Sequence, residues 1–283
     1  MNREHLKKKL LKIRDLATLP VVASNVIQLT QNPTVSALQV ADAISQDQAL
    51  TSRVLKTANS AFYGFPRKIT TINQAIIILG FTNIRNIVLS TSLNSTLNSG
   101  KKDSLFDLKA FWKHSLACGI TSKLLAKKEG IKNSEEAFIW GLLHDLGKIV
   151  MNTYIHEEYN QAIALALEKD MLIIDAEQEL FGFTHTAVGS LIADKWNLPP
   201  ALIKVIRYHH NPAKDYNSLR ISSIVHLADI LCRTINLGNG GDTQVPVVCQ
   251  ESWKMMNLNT QILKKIFFKI EDEYEKATEF LEV

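Results

Sequence analysis

The chain has 283 residues, 46% hydrophobic and 21% charged, which excludes a wholly disordered polymer. Only 12 glycines and 7 prolines are present, too few turn formers for a many-stranded sandwich or barrel, so helices are favoured. A net charge of +4 is too small to argue for nucleic acid, and only Arg67, Lys68 and Arg85 suggest such a surface.

Apolar residues recur at helical spacing almost throughout. Leu6, Leu10, Ile13 and Leu16 mark an opening helix with a basic face. Val22, Val26 and Leu29 follow Pro20. Ser36 is placed to cap a helix carrying Leu38, Val40, Ala41 and Ile44, and Asp47 to cap one with Leu50, Val54, Leu55 and Ala58. Ile72–Leu79 and Ile84–Leu93 read as two helices parted at Gly80. The polar stretch Leu97–Asp103 is the best internal boundary. Beyond it come helices over 107–129 and from Asn133 to about Tyr154, the latter opened by an Asn133/Glu136 capping box. Further helices fit about 157–169, 174–181, 184–196, 199–209 and 218–236, then a loop over 238–249 and a terminal helix from about 259. The expected class is all-α, in two lobes.

Residues 1–14 are basic and 271–282 acidic. They read as solvated helix faces, with a meeting of the two terminal helices as the sharper alternative. The first twenty residues offer no apolar signal core, and the apolar run Ala75–Phe81 falls far short of the roughly 20 residues of a membrane span. Cys118, Cys232 and Cys249 form no C-x-x-C pair. The expectation is a protein of the reducing cytoplasm, without a membrane anchor. Cys118 lies four residues after His114 and Cys232 three after Asp229; both are read as packing cysteines rather than ligands.

The strongest local signal is Gly141-Leu-Leu-His144-Asp145-Leu-Gly-Lys148. An imidazole beside a carboxylate offers a neutral nitrogen and an anionic, bridging oxygen to a cation, but two adjacent residues cannot hold one alone. Other helices offer the remainder: His114 in FWKHSLACG, His185 in GFTHTAVGSLI, His209-His210 before Asn211-Pro212, and Asp229 in VHLADIL. The series His114, His144, Asp145, His185, His209, His210 and Asp229 suffices for two divalent cations, provided partners fix the second ring nitrogens. Fe or Mn is expected first, Zn or Ni second. Lys148 shares a helix face with His144 and Asp145, where an ammonium suits a phosphate oxygen. Singly, each residue has a plainer reading: Asp229 bound to a backbone amide, or to His226 on the same face.

At these residues the sequence resembles the HD superfamily of metal-dependent phosphohydrolases, and across the chain it resembles the HDOD (HD-related output domain) family. The motifs are W-x-H at 112–114, GLLHDLGK at 141–148, G-x-x-H-x-x-x-G at 182–189, W-x-LP at 196–199 and HHNP at 209–212. Earlier come LPVVASNVIQL at 19–29, VADAISQDQALTSRVLKTANSAFYG at 40–64 and INQAIIILGFTNIRNIVL at 72–89. The resemblance implies an all-α, two-lobed HDOD-type fold with an HD-like helical core in the second lobe. It implies an HDOD domain at 17–236 (first lobe 17–97, HD-like lobe 104–236), flanked by the N-terminal helix at 1–16 and a loop with a helical extension at 237–283 that the periodicity suggests. It further implies a bacterial signal-transduction output module, working with a signalling protein partner or a small nucleotide ligand. The same ligand pattern is similar to that of HD-GYP proteins, which hydrolyse cyclic di-guanylate with metal ions. On that likeness the alternative is a metal-dependent phosphohydrolase, with Asp145 and Lys148 as catalytic residues. Residues 211–217 lack the Gly-Tyr-Pro signature, and Ala110 cannot supply the carboxylate used where three metals bind. Gly240-Gly241-Asp242 continues as Thr-Gln and reads as a turn, not a GGDEF cyclase motif.

Overall fold

A computed structural model describes residues 18–97, 104–215 and 218–277. The described residues contain fourteen α-helices, one 3-10 turn and no strand. The helices are α1 (Val21–Gln31), α2 (Ala37–Ser45), α3 (Gln48–Ala58), α4 (Ile72–Leu97), α5 (Leu108–Lys128), α6 (Ser134–Leu143) and α7 (Leu146–Tyr154). There follow α8 (His156–Glu168), α9 (Ile173–Phe181), α10 (His185–Lys195), α11 (Pro200–Tyr208), α12 (Leu219–Thr234), α13 (Gln250–Met256) and α14 (Thr260–Ala277). The chain divides into two compact units, one centred on Leu19–Asn98 and one on Ser99–Ile270. The expected N-terminal helix and its basic face lie outside the described residues, as does most of Leu97–Asp103.

The smaller unit forms where its caps and apolar stripes say it should. Ser36 accepts from the Gln39 amide at 3.2 Å while the Gln39 side chain accepts from the Ser36 amide at 2.9 Å, a complete capping box. Asp47 accepts from the Leu50 amide at 2.9 Å. Val26, Val40, Ile44, Val54, Ile69 and Ile84 then meet in one core. Asn59 ties the loop after α3 to that core by bonding the Ile69 amide and carbonyl, both at 2.8 Å. Gly80 breaks α4 into two helices with φ 79° and ψ 163°. Ile72–Leu93 has the length and mean hydropathy (1.4) of a membrane span, a longer apolar stretch than the Ala75–Phe81 run. However, 61% of its most apolar window is buried, so protein packing accounts for that composition.

The larger unit is organised around α5 and α12. Both are buried on nearly every face along much of their length, polar His114 and Asp229 included. Here two expectations are corrected. The helix expected from Asn133 to Tyr154 is two helices, because Asp145 leaves the helical region at φ −97°, ψ 19°. That bridge conformation is common where a side chain must be aimed at a site. The Asn133/Glu136 box does not form either. Asn133 makes no side-chain cap, and its amide group instead donates to the Glu136 carboxylate at 2.9 Å.

Candidate metal centre

Two glycines flank the His144-Asp145 turn, and each marks a close approach of helices. A Cβ on Gly141 would sit 2.2 Å from the Cys118 carbonyl oxygen, so α6 touches α5 there. A Cβ on Gly147 would sit 1.8 Å from the His185 carbonyl oxygen and 2.8 Å from the Gly189 nitrogen, so α7 touches the start of α10. The motif thus pins the turn between the helices that carry His114 and His185. α11 ends at His209 and His210, and α12 brings Asp229.

All seven residues read as candidate ligands come together, in two groups. Donor atoms of His114, Cys118, His144 and Asp229 lie within 4.8 Å of one another, as do those of Asp145, His185, His209 and His210. Asp145 stands at their junction. Its Oδ2 is 3.2 Å from His144 Nε2, and its Oδ1 is 3.2 Å from His185 Nε2 and 3.4 Å from His209 Nε2. In the first group His114 Nε2 lies 3.0 Å from Asp229 Oδ1. In the second, His185 Nε2 lies 3.1 Å from His210 Nε2.

The far side of three imidazoles is fixed by an acceptor. His144 Nδ1 donates to the Gly141 carbonyl at 2.7 Å, His209 Nδ1 to the Ile206 carbonyl at 3.1 Å, and His185 Nδ1 to Glu177 Oε2 at 2.7 Å. A proton on Nδ1 leaves Nε2 as a lone-pair donor, and every one of these Nε2 atoms faces the centre.

Electrostatics favours ionised carboxylates at Asp145 and Asp229 and neutral imidazoles at His114, His209 and His210. Burial pushes the Asp145 carboxyl up, but the neighbouring His144 and Lys148, with His185, hold it well below the usual range. At Asp229 burial is likewise outweighed, by Arg233 and His114. Burial lowers His114 and His210, and takes His209 down to about 4. His185 moves the other way, because the Glu177 carboxylate outweighs its burial. Neutral imidazoles with ionised carboxylates are what a cation requires.

The centre also contains polar atoms that protein alone does not satisfy. His144 Nε2, His209 Nε2 and both Asp145 oxygens are buried without a hydrogen bond of proper geometry. Lys148 Nζ stands 2.7 Å from Asp145 Oδ2 as a charge contact, while its hydrogen bond goes to the Gly240 carbonyl at 2.7 Å. Each orphaned buried group costs about 1–3 kcal/mol. Convergent lone pairs with no proton between them fit a divalent cation.

Lys148, expected on a phosphate oxygen, is thus engaged within the protein. The plainer readings of Asp229 are corrected as well. Its partners are His114 and Arg233, the latter at 2.7 Å, because His226 turns away to donate to the His209 carbonyl at 2.8 Å and to accept from the Cys249 amide at 2.9 Å. Cys232 packs against Thr121. Sequence reasoning missed Glu177, Asp242 and Arg233. Glu177 has no diagnostic spacing to His185, and Asp242 sat in a tripeptide read only as a turn. Arg233 carried a usable signal, one helical turn after Asp229; it also bonds Asp242 at 2.7 Å.

The sequence profile of the HDOD domain family matches residues 16–212. A protein of Treponema pallidum (strain Nichols) is 28% identical over 201 residues, which are 71% of this chain but only 38% of that relative. The chain therefore spans well under half the length of that curated relative. The crystal structure of an HDOD domain protein of unknown function from Geobacter sulfurreducens is 28% identical, with a TM-score of 0.80 over 97% of this chain and 99% of that one. A protein from Shewanella amazonensis SB2B, named as a candidate phosphohydrolase, is 24% identical with a TM-score of 0.75 over 97% of each chain, a likeness of fold.

Proposed function

The chain belongs to the HDOD domain family, and we propose that it is a bacterial signal-transduction output module whose larger unit is organised by a retained metal centre that does not turn over substrate. The observation that carries this reading is closure. His114, His144, Asp145, Lys148, His185, His209 and Asp229 are each at most 2% exposed, and the Gly240 carbonyl caps the lysine that a phosphate oxygen would need. His114, His144 and Asp229 would hold one cation and Asp145, His185, His209 and His210 another. A bound divalent ion supplies a Lewis-acid charge that satisfies the orphaned lone pairs. Glu177 holds the His185 tautomer, Arg233 balances Asp229 and Asp242, and the Lys148–Asp145 contact keeps the turn aimed inward. Five helices or helix ends are thereby tied to one point, a rigid platform for a signalling protein partner or a small nucleotide.

One observation favours a second reading, a metal-dependent phosphohydrolase acting on a nucleotide. A cavity of about 550 Å³, lined by Arg207, Tyr208 and Lys214 among others, opens on His210. Metal analysis of protein purified without chelator, with Asp145→Ala alongside, comes first. The expected result is bound transition metal that Asp145→Ala loses, and no hydrolysis across a panel of nucleotides and cyclic dinucleotides. Hydrolysis that depends on Asp145 would establish the second reading. Metal below about a tenth of an equivalent would overturn both.

A further inference from the structure

We propose that Cys118 is a protein ligand of the cation held by His114, His144 and Asp229, making that group a closed, thiophilic four-ligand site distinct in softness from its neighbour. The proposal rests on the reading of the larger unit as a metal centre and goes beyond it in assigning a donor, a coordination type and a metal preference.

Cys118 lies one helical turn after His114 on α5, so the two side chains share a face. Its Sγ is 3.4 Å from His114 Nε2, and the side chain is fully buried. The contact between Gly141 and the Cys118 backbone sets the register of α6 on α5, and His144 follows three residues later. His144 Nε2 then stands in the same group, buried and without a hydrogen bond. Two of the four donors thus point independently at one place.

The four donor atoms lie within 4.8 Å of one another. Donors around tetrahedral zinc, with bonds of about 2.0–2.3 Å, stand about 3.3–3.7 Å apart, so a modest contraction suffices. Four protein donors (two imidazoles, a thiolate and a carboxylate) complete a structural zinc shell and leave no open position for substrate. Without a cation, burial and the neighbouring Cys232 keep the Cys118 thiol protonated. A bound cation reverses that balance: the sulfur–metal bond forms as the S–H bond breaks, and the proton leaves to solvent. The second group offers only nitrogen and oxygen donors. The first site should therefore prefer zinc or another thiophilic ion, while the second accepts Fe or Mn.

The test is cobalt(II) substitution of the full chain after chelation, read by absorption. A thiolate-to-cobalt charge-transfer band in the near ultraviolet is expected, retained in Cys232→Ser and lost in Cys118→Ser. Because Cys118→Ser changes a fully buried position, the zinc-loaded wild type is also measured by X-ray absorption, where a sulfur neighbour at about 2.3 Å is expected. Cobalt bound without the band, a band that survives Cys118→Ser, or a zinc shell of light atoms alone would overturn the assignment of Cys118 while leaving the metal centre standing. Failure to bind any cation would overturn the metal reading, and this proposal with it.

Discussion

Glu177 meets His185 twice: its Oε2 accepts from the His185 backbone nitrogen at 2.7 Å and from the ring Nδ1 at 2.7 Å. One carboxylate from α9 thus caps the start of α10 and fixes the tautomer of a candidate ligand. Glu177→Gln keeps the shape but not the charge. It is expected to weaken cation binding at the Asp145 group about 10–100-fold while the helix content by circular dichroism is unchanged. Titration calorimetry showing wild-type affinity would mean that His185 does not depend on this partner.

Gly147→Ala places a methyl group 1.8 Å from the His185 carbonyl oxygen, and both of the nearest obstacles are backbone. No flexible side chain can yield, so α7 and α10 must separate. A loss of roughly 2–3 kcal/mol or more in urea unfolding is expected, with reduced cation binding. An unchanged unfolding midpoint would contradict the close approach.

Arg233 serves two buried carboxylates, with 2.7 Å contacts to Asp229 and to Asp242. Arg233→Met leaves both without their cation, a change expected to destabilise the metal-free protein by about 3–5 kcal/mol. Because Asp229 belongs to a ligand group, zinc should recover part of the loss. Equal destabilisation with zinc and with chelator would separate Asp229 from metal binding.

With chelator present, stability should depend on histidine protonation. His209 is driven down to about 4 by burial, against about 6.5 in an unfolded chain. Between those values the unfolded chain takes up a proton that the folded protein refuses, so stability falls as pH falls through that window. At about 1.4 kcal/mol per unit, His209 contributes roughly 3 kcal/mol. His114 and His210 act in the same direction, and His185, which is raised, in the opposite one. His209→Asn should flatten the slope measured by urea unfolding. A wild-type profile already flat from about pH 6.5 to 4 would refute the assignment.

Periodicity and caps were enough to read most helices of this chain, because a cap and an apolar stripe are local statements. Ser36 and Asp47 cap as their neighbours imply, and Gly80 breaks α4 where the pattern parts. Periodicity failed at His144-Asp145, where the break answers to charges and helices distant in sequence. The short α13 escaped notice because it is barely two turns long.

Residue type and order alone nominated His114, His144, Asp145, His185, His209, His210 and Asp229, since a polynuclear site requires many such donors and few other purposes do. Their division into two groups was settled only in three dimensions. So were the partnership of Glu177 with His185, the capture of Lys148 by Gly240, and the place of Cys118 beside His114 and His144. Those relations depend on close contacts between residues as far apart in the chain as His114 and Asp229, and no local pattern encodes such distances.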